Sequence, residues 1–311
     1  MDLDLSEDQQ AILSAMERLL EQQSGPARAI ELNAKGEFDG ALDAALSEAG
    51  FTGIALADET GPLEAALVVE AVARAGGVVS LGAQALVAPL LLGRELPGPV
   101  ALSSLSHRGP VRFAAHARSL LLDCGDEARL VELAPGAAQA VKSHFMFPMG
   151  RLVPDASDGE SLGPGSGARL RDAWRLALAV ECAGTMRAAR EVTVDYVKRR
   201  RQFGRAIGSF QAVQHRLSQC AVLVEGARWL AYEAAYQGAP AAASASAAAH
   251  ATAAANQVFA ETHQLTGAMG FTREHDLHVW SMRLQALRLE AGGVSEHRVA
   301  AARARWPTEG A

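Results

Sequence analysis

The run Lys198-Arg-Arg200-Arg-Gln-Phe-Gly204 sets three consecutive arginines beside an aromatic residue and a glycine. Within it, Arg200-x-Gln202-Phe203-Gly204 brings a bidentate donor, an apolar plate and a tight turn within five residues. A guanidinium fork matches two oxygens of a pyrophosphate. Phe203 can lie against a ring, and Gly204 lets the backbone come close. Cations at a helix end also complement the helix dipole, so the spacing rather than the charge carries the chemical reading. Ile207-Gly-Ser-Phe-Gln211 and Gln214-His215 follow.

A second candidate is Gln264-Leu-Thr-Gly267-Ala268-Met-Gly270-Phe271, an amide followed by a turn of small residues. Taken alone, such a turn after a helix is ordinary punctuation. The third is Glu290 in Leu289-Glu-Ala-Gly-Gly293. A carboxylate can remove a carbon-bound proton if a dry pocket raises its pKa; otherwise Glu290 is a plain helix-end carboxylate. Ser209 reads as a helix cap and Glu261 as solvent-facing. His215 and His275 lack a paired carboxylate at triad spacing. Cys124, Cys182 and Cys220 are far apart and form no CxxC, so they read as buried small residues rather than a disulfide or zinc framework.

The elements that must position these residues are mostly helices. Ser6 can cap a helix carrying Ile12, Leu13, Met16, Leu19 and Leu20 on one face. Leu42 to Ala49, Leu63 to Ala75 and Leu81 to Leu92 read as three more. Short β-like runs follow at Val100–Leu102, Val111–Phe113, Ser119–Leu122, Leu130–Leu133 and His144–Phe147. Asp155 to Gly167, rich in Gly, Ser, Asp and Pro, reads as a linker loop. Helices return over Leu170 to Arg201, Gly208 to Gln237, Ala241 to Thr266, Glu274 to Arg288 and Val294 to Arg305. Ala241 to Ala255 is almost all Ala and Ser; it reads as a thin helix of high propensity or as a close contact between subunits. The expected organisation is a mainly α chain with a small β domain: a helical domain at 1–97, a β domain at 98–167 and a helical bundle at 168–311.

Bulk properties bound the function. The 311 residues, 49% hydrophobic, suffice for two or three packed subdomains. A net charge of -6 argues against a dedicated nucleic-acid surface. The acidic start MDLDLSEDQQ lacks a secretory pattern, and no run approaches the ~18 apolar residues of a membrane span. A reduced, cytoplasmic setting is the expectation.

The motif Arg200-x-Gln-Phe-Gly-x-x-Ile-x-x-Phe-Gln-x-x-Gln-His resembles the helix-turn-helix signature of acyl-CoA dehydrogenases. Gln264-x-x-Gly-Ala-x-Gly-Phe resembles the same family's glutamine-glycine turn, with Ala268 in place of the usual glycine. Asp4-Leu-Ser-x-x-Gln9 and Gly50-Phe-Thr-Gly-Ile54 resemble its opening. The resemblance implies that Arg200, Gln202, Phe203, Gly204, Gln211, Gln264, Gly267 and Ala268 reach the FAD of a neighbouring subunit. It also implies α,β-desaturation of an acyl-CoA thioester, with electrons passed to an electron-transfer acceptor. By count, Arg175 matches an arginine lining the family's acyl-CoA pocket, with Arg171 as the fallback.

Two departures shape the expectation. The family's Thr-Glu-Pro-x-x-Gly-Ser-Asp-type loop, which holds the flavin ring, has no counterpart between Val100 and Asp155. Of the two places where the family keeps its catalytic glutamate, one holds Ala253, and the other holds Ala291 or Gly292 with Glu290 a near miss. The expectation is therefore a shortened subunit of an α2β2 enzyme, with a longer partner supplying the flavin pocket and the base, and a bulky acyl-CoA of sterol side-chain catabolism as substrate. A self-sufficient homodimer using Glu290 and a non-catalytic scaffold are the alternatives.

Overall fold

The computed structural model describes residues 4–153 and 158–306. The first helix, α1 (Glu7–Gln23), begins at its expected cap. Ser6 Oγ accepts the Gln9 N–H at 3.1 Å, and the Gln9 side chain accepts the Ser6 N–H at 3.1 Å, so two end donors are satisfied reciprocally. Then come α2 (Pro26–Lys35), α3 (Gly40–Glu48) and α4 (Pro62–Ala75). The sequence reading passed over α2, although Pro26 at its first turn and Gly36 beyond its end, with φ 71°, are its start and stop signals.

A buried π-helical turn, Gly82–Val87, leads into α5 (Ala88–Leu92). Its opening glycine makes room for a charge. A Cβ on Gly82 would stand 2.7 Å from Glu181 Oε1, so this turn can lie against a buried carboxylate only without a side chain there.

The middle region folds as two small sheets. The first has β1 (Val100–Ser104), β3 (Ser119–Asp123), β4 (Glu127–Glu132) and β7 (Glu160–Pro164) in the order β1-β3-β4-β7; β1 and β3 are parallel and the other pairs antiparallel. The second is antiparallel, with β2 (Val111–Arg112), β6 (Met149–Leu152) and β5 (Ala138–Val141) in the order β2-β6-β5. His144–Phe147, expected as a strand, is instead a bend between β5 and β6. Met146 takes φ 59° there, a left-handed conformation that a strand cannot hold. The expected linker contains β7, an edge strand whose Gly/Ser-rich composition hides its pairing with β4; residues 155–157 of that linker lie outside the described residues.

The bundle follows closely the periodicity of the sequence. It consists of α6 (Ser166–Arg199), α7 (Gln211–Tyr236), α8 (Ala241–Thr266), α9 (Leu277–Leu287) and α10 (Gly293–Arg305). Most of the α8 alanines from Ala245 to Ala255 are buried within the chain, against α6, α7 and α10, while Ala241 and Ala242 are exposed. Small side chains let four helices meet there, as expected of a thin helix packed closely within the chain. Gly184 serves the same end: a Cβ on it would meet the Glu70 carbonyl at 2.3 Å, so α6 and α4 touch through their backbones. The chain is mostly helical with a small β region. Among the described residues, no helix is long and apolar enough to cross a membrane.

Candidate functional site

Because α6, α7 and α8 alternate in direction, the end of α6, the start of α7 and the end of α8 share one end of the bundle. Both sequence motifs therefore come together there. The link is visible in a T-shaped contact, 5.3 Å between ring centroids, of Tyr196 on α6 and His275 beyond the glutamine-glycine turn. Between α6 and α7 lies a small hairpin, β8 (Arg201–Gln202) and β9 (Arg205–Ala206). Phe203 and Gly204 form its tip, both at positive φ (54° and 78°). The Phe203 ring is 90% exposed, an arrangement that offers an aromatic face to something outside the chain.

The three arginines differ in how they are held. Arg199 Nε donates to the Asp195 carbonyl at 3.2 Å, and Arg201 Nη2 to the Gly204 carbonyl at 3.4 Å. The Arg200 side chain is exposed and has no partner among the described residues. Gln202, Gln211, Gln264, Gly267 and Ala268 are exposed at the same end. Gly267 has φ 57° with nothing within 4 Å of where a Cβ would stand. Beneath the turn, His263 is buried between Phe259 and 75%-exposed Phe271, with centroids at 4.5 and 4.6 Å. Burial, then His275, lowers the His263 pKa, which keeps the ring neutral. Ser209 does not cap α7: its hydroxyl donates to the Ala206 carbonyl at 2.7 Å. Glu261 is not solvent-facing but is paired with Arg216 at 2.5 Å.

Glu290 lies elsewhere. The Trp174 indole donates to its Oε2 at 3.2 Å, which places it beside an early turn of α6. From Trp174 to Arg200 is 26 residues of helix, roughly 39 Å at 1.5 Å per residue. The carboxylate is fully engaged by Arg112, whose Nε donates to Oε1 at 2.8 Å and Nη2 to Oε2 at 3.2 Å. Nη2 also stands 2.7 Å from Glu181 Oε2. Arg112 thus bridges two carboxylates at the heart of the molecule. Burial alone would pull its guanidinium down, but Glu181 and Glu290 outweigh burial and hold it above its ordinary value.

Burial pushes the Glu181 carboxyl up, against the pull of Arg112. Arg283, wholly buried, donates to the carbonyls of Met146, Gly77 and Gly76 at 3.2, 2.9 and 3.0 Å. Burial, then repulsion from Arg112, brings its pKa down to about 9. The Phe147 ring lies 4.9 Å from Arg112 and 4.7 Å from Arg283, so its electron-rich face stabilises both cations.

Above this cluster is a cavity of about 350 Å³. Its walls are mainly apolar, among them Leu102, Val111, Phe145, Met149 and Trp174; Glu290 lies in its floor and Lys142, His144 and His107 at its lining.

Arg175 stays out of this cavity's lining. It is nearly buried and pairs with Asp172 at 3.0 Å. Its charge, after burial, helps pull buried His297 down to about 4. Arg171, the fallback, ties α6 to the β region through Asp123 Oδ1 and the Gly125 carbonyl, both at 2.7 Å. Cys182 and Cys220 are buried, as expected, but Cys124 is only half-buried.

Sequence reading missed Arg112, Glu181, Arg283 and Trp174. A signal existed for Glu181, a lone charge inside Leu-Ala-Leu-Ala-Val-Glu-Cys-Ala, since an ionised group within an apolar run needs a buried partner. Arg112 lies in a two-residue strand and has no local signal.

Comparison with known proteins agrees with this architecture. The family model described as acyl-CoA dehydrogenase, N-terminal domain, matches residues 6–94, and that described as acyl-CoA dehydrogenase, C-terminal domain, matches residues 172–304. Acyl-CoA dehydrogenase IpdE2 of Mycobacterium tuberculosis is 29% identical over 292 residues, covering 89% of this chain and 91% of that protein. A chain in the crystal structure of the ChsE4-ChsE5 complex from Mycobacterium tuberculosis superposes with a TM-score of 0.82 at 22% identity, covering 99% of this chain and 100% of that one. A variant of the Tcur3481-Tcur3483 steroid ACAD gives 0.83 at 22% identity, covering 96% and 98%. With both helical portions matched by its models and the fold shared from end to end, this chain belongs to the acyl-CoA dehydrogenase family.

Proposed function

We propose that this chain is a subunit of an FAD-dependent acyl-CoA dehydrogenase that works with a longer family member, in an α2β2 assembly. One observation carries the reading. The cation expected to meet the cofactor, Arg200, is free and exposed, whereas the carboxylate nearest the expected base position, Glu290, is locked by Arg112 and Trp174. The two lie at opposite ends of α6, so one cofactor cannot touch both in the same chain. Divisions near residues 97 and 167, between helical, β and helical portions, complete the proposed organisation.

The residues at the exposed end fit the outer part of FAD. Arg200 would hold a phosphate through its fork. Gln264 and the backbone at Gly267 would add hydrogen bonds, with Gln202 and Gln211 beside them, and Phe203 would cover a ring. Ala268 is small enough to permit close approach. When bound, FAD supplies the acceptor for the hydride that leaves the β-carbon of the acyl thioester. This chain's share is to bind and orient; the α-proton goes to a carboxylate of the partner. Its own cavity is floored by a closed ion pair, and among the described residues of its lining no carboxylate is free to take that proton. Names of the similar proteins refer to a steroid ACAD and to a two-component complex, which supports a bulky, sterol-derived acyl-CoA substrate and a second subunit; an electron-transfer acceptor and a cytoplasmic setting belong to the same proposal. Arg175 contributes to substrate binding only if the partner frees it from Asp172.

Glu290→Gln in the co-purified assembly tests the assignment. The substitution keeps the shape and removes the basic oxygen. A general base contributes about 10²- to 10⁴-fold, so the expected outcome, turnover close to that of the unaltered assembly, is well separated from its alternative. A collapse in rate with unchanged flavin content would make Glu290 the base and the chain a self-sufficient homodimer.

A further inference from the structure

The cavity beside Glu290 is a chamber to which the reading above gives no role. Its walls are apolar, and Leu289, exposed to 60%, stands at its rim. Its charged and titratable lining residues are unbalanced. Glu290 is the one carboxylate among them, and it is held in an ion pair by Arg112, which it shares with Glu181. Lys142 and His144 are exposed and have no ion-pair partner among the described residues. Among the described residues the His107 ring is hydrogen-bonded to the Pro110 carbonyl, at 3.3 Å, and to no carboxylate. An apolar chamber with an unpaired lysine and two imidazole donors at its lining favours an amphipathic anion, since the body gains from leaving water and the head gains from the lysine charge and the ring N–H groups.

Size narrows the class. An apolar cavity of about 150 Å³ takes benzene, so a chamber of about 350 Å³ takes a body of about two rings or ten carbons.

We propose that this cavity is a binding site for a free carboxylate with a compact apolar body, occupied without flavin and without chemistry. The proposal rests on the reading that the flavin ring sits in the partner. The carboxylate head would lie at Lys142 and His144 and the body against Leu102, Phe145 and Met149, with the Arg112–Glu290 pair as a closed floor. Occupancy would fill a chamber bounded by both the β region and the bundle, and so couple a free acid to the packing of the subunit.

The test uses the co-purified assembly, with decanoate and 1-decanol as calorimetric probes and flavin absorbance as a parallel readout. Val141→Trp, or Leu289→Trp if the first variant folds poorly, fills the mouth of the cavity. Either is expected to remove one decanoate site per short chain with flavin content unchanged. Lys142→Ala combined with His144→Ala is expected to weaken decanoate at that site about tenfold and to leave 1-decanol unaffected. Decanoate binding unchanged by occlusion overturns the proposal, while one flavin per pair of chains leaves the subunit reading standing. Equal weakening of decanoate and decanol by the charge deletions also overturns it. If occlusion expels flavin instead, the cavity is a flavin site and both readings fall.

Discussion

Arg112→Met is expected to lower the unfolding midpoint of this chain by roughly 5 to 15 °C. The guanidinium is shared by Glu181 and Glu290, and all three side chains are less than a fifth exposed. Removing the cation leaves two buried carboxylates without their partner, and breaking a buried pair from one side costs about 3 to 5 kcal/mol. For a chain of this size each kcal/mol is worth a few degrees. The pH dependence has a definite sign. Burial already raises the folded-state pKa of Glu181, and loss of Arg112 raises it further. Between the ordinary glutamate pKa and the raised one, the folded variant binds more protons than the unfolded chain, so its stability rises on acidification through that raised pKa, and the deficit shrinks toward the ordinary glutamate range. Adding Glu181→Gln and Glu290→Gln removes both orphaned charges and should recover most of the loss. Thermal scans of the single and triple variants decide it; a single variant as stable as the parent would mean that Arg112 does not hold the cluster together.

Arg200→Ala is expected to strip FAD from the assembly while leaving the fold untouched. The side chain is exposed and makes no hydrogen bond or ion pair among the described residues that its loss would break. A hydrogen bond to a charged group contributes about 1.5 to 3 kcal/mol, which corresponds to roughly ten- to hundredfold weaker retention. Arg199→Ala and Arg201→Ala should do much less, because both guanidinium groups are already turned to backbone carbonyls at Asp195 and Gly204. Flavin content measured after gel filtration, with the melting temperature as control, separates these cases. Normal flavin in Arg200→Ala contradicts the role given to it.

Sequence and structure agree where local periodicity decides the outcome. The bounds of α8 are the expected ones, and α6 ends with Arg200 as its C-terminal cap, because long helices announce themselves through period and punctuation. The exposed end of the bundle was legible for the same reason: its motifs lie at helix ends, and alternating helix directions bring them together. The Arg112 cluster was not. Its members come from a two-residue strand, two helices and a turn, separated in sequence by more than a hundred residues at the widest, and only packing joins them. The bend at His144–Phe147 shows a related failure. Its composition suits a strand, yet the positive φ of Met146 and the placement of Phe147 between two guanidinium groups serve the charge cluster. The poly-alanine face of α8 reads as a surface in one dimension and is interior in three.

The central claim is that this chain holds only the outer part of a flavin site and completes the centre of a longer partner. Flavin absorbance per mole of protein tests it most directly, measured on this chain expressed alone and on the complex co-purified with a full-length family member. The account predicts a colourless chain alone and about one FAD per pair of unlike chains in the complex, with FAD and partner each stabilising the folded state by mass action. Stoichiometric FAD in the lone chain would contradict it, and flavin absent from both preparations would leave the chain a scaffold of the same fold.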